Sequence, residues 1–354
     1  MKSFIRSLSL GKGDLIRVAI YGASGYAVFE LYKILKRHRN VELRYITAEA
    51  SAGKMVSDLF PIADNRPLVR NEDVKLSEVD AVFLSLPHGA AKKVVEQIKE
   101  QDHRVRIIDL SADFRFDNAL EYEKWYGEKH TSPQLLSDFV YGLTEIYRHA
   151  LSKAQFVANP GCYPTASILG LYPLLKRNLV DFSQPVIIDA KSGVSGGGRK
   201  PEIRLLFVEA NENVSPYSIG YVHRHTGEIE QELSKIAGRN INVVFSPHLV
   251  PVSRGMLNTM YVRLNEDLTS EELTAIFEET YQFEFFVRVL PRKSIATMQH
   301  STGTNLAVIS VKRVENSPYA IVVSSIDNLI KGAAGQAVQN FNVMFQIDEK
   351  ESLI

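Results

Sequence analysis

The sequence predicts an α/β chain in two parts: a parallel sheet covered by helices, then an α+β portion built on a mixed, largely antiparallel sheet. Short apolar runs alternate with helix-length amphipathic stretches through the first 110 residues, the pattern of βαβ units. Six strand-like runs with fewer helices between them fill the second half. A length of 354 residues allows about two domains at roughly 150 residues each.

The run 15–21 (LIRVAIY) reads as a buried strand, followed by a helix to about residue 38. Further strands are expected at 41–47 (VELRYIT), 79–86 (VDAVFLSL) and 105–110 (VRIIDL), with a helix over 90–100 between the last two. A parallel sheet of this kind places ligands beyond the C-terminal ends of its strands. After a boundary near Asn159, strands are expected in PVIIDA, INVVFSPHLV, MLNTMYVRL, EFFVRVL, NLAVISVKRV and AIVVSSID. The segment 270–282 is the main helix there, opened by Ser-x-x-Leu rather than a full capping box. The last helix, KGAAGQAVQNFNVMF, is rich in small residues and is expected to return to the first domain.

Forty-one Lys plus Arg balance 41 Asp plus Glu, so no overall field draws the chain to nucleic acid or an acidic membrane. No stretch approaches the ~20 apolar residues that span a bilayer. A single cysteine excludes an intrachain disulfide framework and a zinc site with several thiolates, and fits a reducing cytoplasm. Residues 1–13 are basic and short; they read as an N-terminal extension, with a targeting tip as the alternative.

Several motifs carry chemistry. The first strand runs into GASGYAV (22–28), where glycines allow a tight turn and close approach of a pyrophosphate to a helix N-terminus. An ordinary strand-to-helix turn is the bland reading. At the end of the second strand, Glu49 suits a free ribose 2′-hydroxyl, and so NAD, unless it is a solvated loop residue. The Pro87-His88-Gly turn after the third strand lies where it would line a cofactor; His88 is otherwise structural.

NPGCYPT (159–165) places Cys162 at the start of a helix, where the macrodipole favours the thiolate. Placement alone leaves nucleophile and small buried hydrophobe equally open. His225, 63 residues on in HRHTGEIEQEL, offers an acid/base, beside His223 and an intervening arginine. No carboxylate or thiol cluster completes a metal site around the two histidines, so no metal is expected. The loop SGVSGGGRK, with Arg199, suits an anionic ligand, and Arg115 in LSADFR stands at a strand end.

In order, GASGY, LPHG, DLSADFR, NPGCYPT, KSGVSGGGR, HRH–EIEQEL, PHLVPVSRGM and DNLIKGAAGQAVQN span nearly the whole chain. From about Ile16 to Gln346 the sequence resembles the N-acetyl-gamma-glutamyl-phosphate reductase family of arginine biosynthesis, related to aspartate-semialdehyde dehydrogenase. The resemblance implies a Rossmann-type dinucleotide-binding domain over 14–160 and 329–354, and a catalytic and oligomerisation domain over 161–328. It implies Cys162 as nucleophile and His225 as acid/base. Gly22, Ser24, Gly25, Tyr26 and Ala27 would hold cofactor phosphates, with Glu49, Pro87, His88, Ser192, Gly193 and Asn328 completing the cofactor site. Arg115, Asn159, Arg199 and His223 would face the substrate.

Two departures stand out: Val28 where the family usually has glycine, and Glu49 where it tends to have arginine. The family implies NADP; Glu49 implies a weakened preference, with NAD use possible. A homodimer or homotetramer is expected. The competing readings are the same chemistry on an aminoadipyl phosphate of lysine synthesis, and a dinucleotide-sensing regulator without catalysis.

Overall fold

The computed structural model describes residues 15–61, 63–101 and 104–354, and the expected N-terminal extension lies outside them. The first part runs β1 (Ile16–Tyr21), α1 (Tyr26–Arg37), β2 (Val41–Thr47), α2 (Val56–Leu59), β3 (Ala81–Leu84), α3 (Ala90–Gln101), β4 (Arg106–Asp109), α4 (Ala119–Tyr126), β5 (Phe139–Tyr141), α5 (Thr144–Leu151) and β6 (Phe156–Ala158). Its strands pair in parallel in the order β2-β1-β3-β4-β6-β5. Ile16, Val18, Ala19 and Ile20 of β1 are all buried, as a strand covered on both faces requires. Each such Val or Ile contributes about 1.5–3 kcal/mol by leaving water.

The second part opens with α6 (Cys162–Lys176) and continues through β7 (Val186–Gly193), α7 (Phe207–Ala210), β8 (Ser215–Pro216), α8 (His225–Ala237), β9 (Val243–Val250), β10 (Met256–Arg263), α9 (Ser270–Tyr281), β11 (Val287–Val289), β12 (Ala307–Arg313) and β13 (Tyr319–Ile326). The sheet order is β11-β12-β13-β10-β7-β9-β8. The pairs β11–β12 and β7–β9 are parallel and the other four antiparallel. Along β10, Met256, Asn258, Met260 and Val262 are buried while the residues between them are half-buried. Helices α6, α8 and α9 supply the apolar side chains that meet the inward face. The opposite face exposes Ile187 and Val244.

Three expectations change. Strands β5 and β6, three residues each, extend the first sheet beyond the four read from the sequence. Helix α9 does carry a full capping box, one residue earlier than expected: Thr269 Oγ1 accepts from Glu272 N, and the Glu272 carboxylate accepts from Thr269 N. The closing helix is not continuous. A π-turn, Ile330–Ala334, precedes α10 (Gly335–Met344). The buried residues Ala337, Val338 and Phe341 of α10 share a core with β1 and α1, so the chain does return to the first sheet.

Candidate active site

Cys162 is the first residue of α6, and Gly161 before it caps the helix without a side chain. Glycine is required there by space: a Cβ at 161 would lie 2.6 Å from His225 Nε2 and 3.0 Å from Arg115 Nη1. The turn is held from beneath. Glu228, three residues after His225 on α8, accepts from Gly161 N (2.8 Å) and the Tyr141 hydroxyl (2.8 Å), and meets Arg115 Nη1 at 3.2 Å. Arg115 also donates to the Asn159 carbonyl (2.8 Å) and the Leu110 carbonyl (3.0 Å). One buried ion pair thus fixes the backbone that presents Cys162.

Cys162 and His225 both line a cleft of about 620 Å³ together with Arg115, His223, Tyr126 and Tyr217. They also line an adjoining cleft of about 260 Å³ with Gly25, Tyr26, Ala27 and Asn328. Burial pushes the Cys162 thiol up to about 11, outweighing the helix N–H groups and Arg115, which pull it down. The helix-dipole expectation therefore has the right sign but the smaller magnitude. Burial, with His223, Arg115 and Arg224 nearby, holds His225 well below the usual histidine range. A neutral imidazole beside a neutral thiol can accept its proton. His223 is brought down to about 4 by burial and by Arg224 and Arg204. Its Nδ1 accepts from His225 N at 3.1 Å, which sets the start of α8.

The glycine turn fits a dinucleotide. Gly22 has φ +93°, and a Cβ there would meet the Ser85 carbonyl at 2.4 Å, at the end of the neighbouring strand β3. Gly25 caps α1 with no side-chain hydrogen bond, and the first turn carries no acid. Open space surrounds the Gly25 Cα. Uncapped N–H groups beside open space are what an incoming phosphate needs. Ser24 and Tyr26 are exposed on this turn. Val28 is buried in the core and does not border the cleft.

The remaining expected residues divide. Asn328 lines the smaller cleft, its amide donating to Ser195 Oγ (2.9 Å) and accepting from Gly255 N (2.8 Å). Ser192 lines the larger one, and Gly193 next to it packs where a Cβ would meet the Arg254 backbone at 2.8 Å. His88 also lines the larger cleft, while Pro87 accepts Ala90 N at the head of α3. Glu49 is exposed at the end of β2, one carboxylate oxygen accepting Asn71 N at 2.9 Å.

Asn159 borders the smaller cleft beside Cys162. Its side chain is buried and spent on the Ala333 carbonyl (3.1 Å) and Asn340 (3.0 Å), which makes it a strut between turn and π-turn. Arg199 has its guanidinium 5.5 Å from the Phe60 ring and lines neither cleft. Among the described residues, the one group of three metal-competent side chains is Glu145, Glu284 and Glu349, which includes neither histidine.

Sequence reasoning assigned nothing to Glu228, Gly332 or Tyr126. Glu228 had a signal, since i and i+3 on a helix share a face with His225. Gly332 and Tyr126 reach the site only through tertiary packing.

The fold and site together define a semialdehyde dehydrogenase. Residues 17–154 match the model described as the semialdehyde dehydrogenase NAD binding domain, and residues 162–328 the semialdehyde dehydrogenase dimerisation domain. Aspartate semialdehyde dehydrogenase II from Vibrio cholerae, solved in complex with ASA, has the same fold at TM-score 0.73 and 17% identity, covering 94% of this chain and 99% of that one. The Candida albicans aspartate semialdehyde dehydrogenase, solved with NADP, gives TM-score 0.66 at 15% identity, over 96% of this chain and 99% of that one.

The sequence is nearer to a narrower group. N-acetyl-gamma-glutamyl-phosphate reductase of Geobacter sulfurreducens is 48% identical, over 95% of this chain and 97% of that protein. The enzyme of the same name from Campylobacter jejuni subsp. jejuni serotype O:2 is 46% identical, over 96% and 98%. The chain belongs to the N-acetyl-gamma-glutamyl-phosphate reductase family.

Proposed function

We propose that the chain reduces N-acetyl-gamma-glutamyl phosphate to N-acetylglutamate 5-semialdehyde and phosphate in arginine biosynthesis, with NADP as cofactor and Cys162 as nucleophile. The observation that carries this is the shared cleft: the Gly25–Ala27 turn, Asn328, Cys162 and His225 border one space. The Gly25–Ala27 turn and Asn328 would hold the dinucleotide, which would supply the hydride that reduces the acyl group.

The chain's own residues do the rest. His225 takes the thiol proton as Cys162 sulfur attacks the carbonyl; the C–O bond breaks, phosphate departs with its electron pair, and a thioester remains on Cys162. Once the acyl carbon is reduced, the imidazolium gives its proton to the thiohemiacetal oxygen. It then recovers that proton and returns it to sulfur as the C–S bond breaks and aldehyde leaves. Arg115 and Glu228 hold the turn and so keep sulfur and imidazole in register.

In this reading residues 14–160 and 329–354 hold the cofactor, and 161–328 carry the chemistry. The open face of the second sheet, with Ile187 and Val244, supports a homodimer or homotetramer. The single, buried-side thiol suits a reducing cytoplasm. Among the described residues no helix is long and apolar enough to cross a membrane.

Phosphate-dependent reduction of NADP by N-acetylglutamate semialdehyde tests the function, run beside the aminoadipate analogue one methylene longer. One methylene is worth roughly 10–200-fold in an apolar pocket. The shorter aldehyde is expected to win by at least tenfold; equal or better use of the longer one overturns the substrate assignment. No turnover of either would favour a regulator.

A further inference from the structure

One wall of the larger cleft is a column of stacked side chains that the reaction above leaves unused. Arg224 lays its guanidinium over the Tyr126 ring at 5.2 Å, and Tyr126 stacks on His88 at 4.2 Å. Behind the column, His88 Nδ1 lies 3.1 Å from Asp113 and its Nε2 3.2 Å from the Tyr122 hydroxyl. Arg224, Tyr126 and His88 all border the space that contains Cys162 and His225.

The cations of this cleft are not equivalent. Arg115 spends its guanidinium on Glu228 and two carbonyls. Arg204 is paired with Glu202 at 2.8 Å. Among the described residues no carboxylate pairs with Arg224 and nothing bonds the Tyr126 hydroxyl, although both line the cleft. Stacking orients the plane of a guanidinium while leaving its edge N–H groups free, which suits it to a planar or tetrahedral oxyanion. Burial raises Tyr126, so its hydroxyl stays protonated and remains a donor across the working pH range.

The chain has no net charge to attract an anionic substrate, so local donors must hold it. We propose that Arg224 and Tyr126 form an oxyanion subsite for the substrate, the guanidinium edge taking two oxygens of one anionic group and the Tyr126 hydroxyl donating to the same group. This rests on the reductase reading, in which the substrate carries both a carboxylate and a phosphoryl group. His88 is a positioning residue here, fixing Tyr126 and through it Arg224.

The reaction run from aldehyde separates the two sources, because N-acetylglutamate semialdehyde and inorganic phosphate then enter independently, each with its own KM. Arg224→Met is expected to raise one of the two by about 10–100-fold, the effect of losing hydrogen bonds to a charged group, with kcat changed far less. A rise in the aldehyde KM identifies the carboxylate as occupant, and a rise in the phosphate KM identifies the phosphoryl group. Tyr126→Phe preserves the stack and raises the same KM by about tenfold. Arg224→Lys falls between, since it keeps the charge and loses the fork.

If both KM values stay at wild type in Arg224→Met, or kcat alone falls, the subsite is refuted. Failure of the wild-type protein to turn over the aldehyde would instead remove the reductase reading and this inference with it. The two failures are thereby distinct.

Discussion

Gly332→Ala should slow the reaction sharply without replacing any group that reacts. A Cβ at 332 would lie 2.7 Å from the Cys162 Cβ and 3.2 Å from its Cα. Carbon atoms rest at about 3.5–4.0 Å, so alanine demands roughly 0.8–1.3 Å of movement. The π-turn resists that movement. Lys331 beside it is buried and donates to Glu145 (2.6 Å) and Gln339 (2.7 Å), and Gly332 N donates to the Asp327 carbonyl at 2.9 Å. The displacement therefore falls on Cys162. Misplacing a reacting atom by about 1 Å costs on the order of 10²-fold in rate, and overpacking of this kind costs about 1–3 kcal/mol of stability. The expected variant is folded, binds cofactor, and has kcat reduced about a hundredfold, read by steady-state kinetics alongside a thermal melt. A folded variant with wild-type kcat would refute the claim that Gly332 sets the position of the nucleophile.

Three further outcomes are expected. With the Cys162 thiol at about 11, its thiolate fraction at pH 8 is about one in a thousand, so iodoacetamide should alkylate it about tenfold faster per pH unit up to pH 10; a plateau below pH 8 would contradict the dominance of burial. Lys331→Met leaves Glu145 buried without its cation and should cost about 3–5 kcal/mol in denaturant unfolding. Burial alone would raise Glu145, but Lys331 and Gln339 outweigh it and lower its carboxyl. That pair's stabilisation is thus present above about pH 4.3 and is lost as pH falls through the lower folded value; Lys331→Met should flatten this acid limb. Glu49→Arg should raise the NADP:NAD ratio of kcat/KM by at least tenfold, and an unchanged ratio would mean that Glu49 serves only its contact with Asn71.

What the sequence disclosed was local. The glycine turn, the cysteine at a helix start and the parallel strand pattern each depend on a few neighbouring residues, and the structure has them where the pattern placed them. The capping box of α9 was equally local, and one residue's shift in the assumed helix start concealed it. Strands of three residues such as β5 and β6 carry too few positions to show a period. The high thiol of Cys162 was hidden for a different reason, because desolvation depends on what the rest of the chain packs over it. Arg115, Asn159 and Arg199 show the same limit. Polar residues near a site motif look alike in sequence, and only packing separates a buried strut from a residue lying on Phe60.

The most direct test of the Cys162–His225 account is to mix the protein with N-acetyl-gamma-glutamyl phosphate in the absence of NADPH, quench in acid and map the mass of the Cys162 peptide. The account predicts one N-acetylglutamyl group on that peptide, released as aldehyde when NADPH is added. It predicts no adduct in Cys162→Ser and slow formation in His225→Asn. An unmodified peptide in a protein that turns over normally with NADPH, or normal turnover by Cys162→Ser, would contradict it.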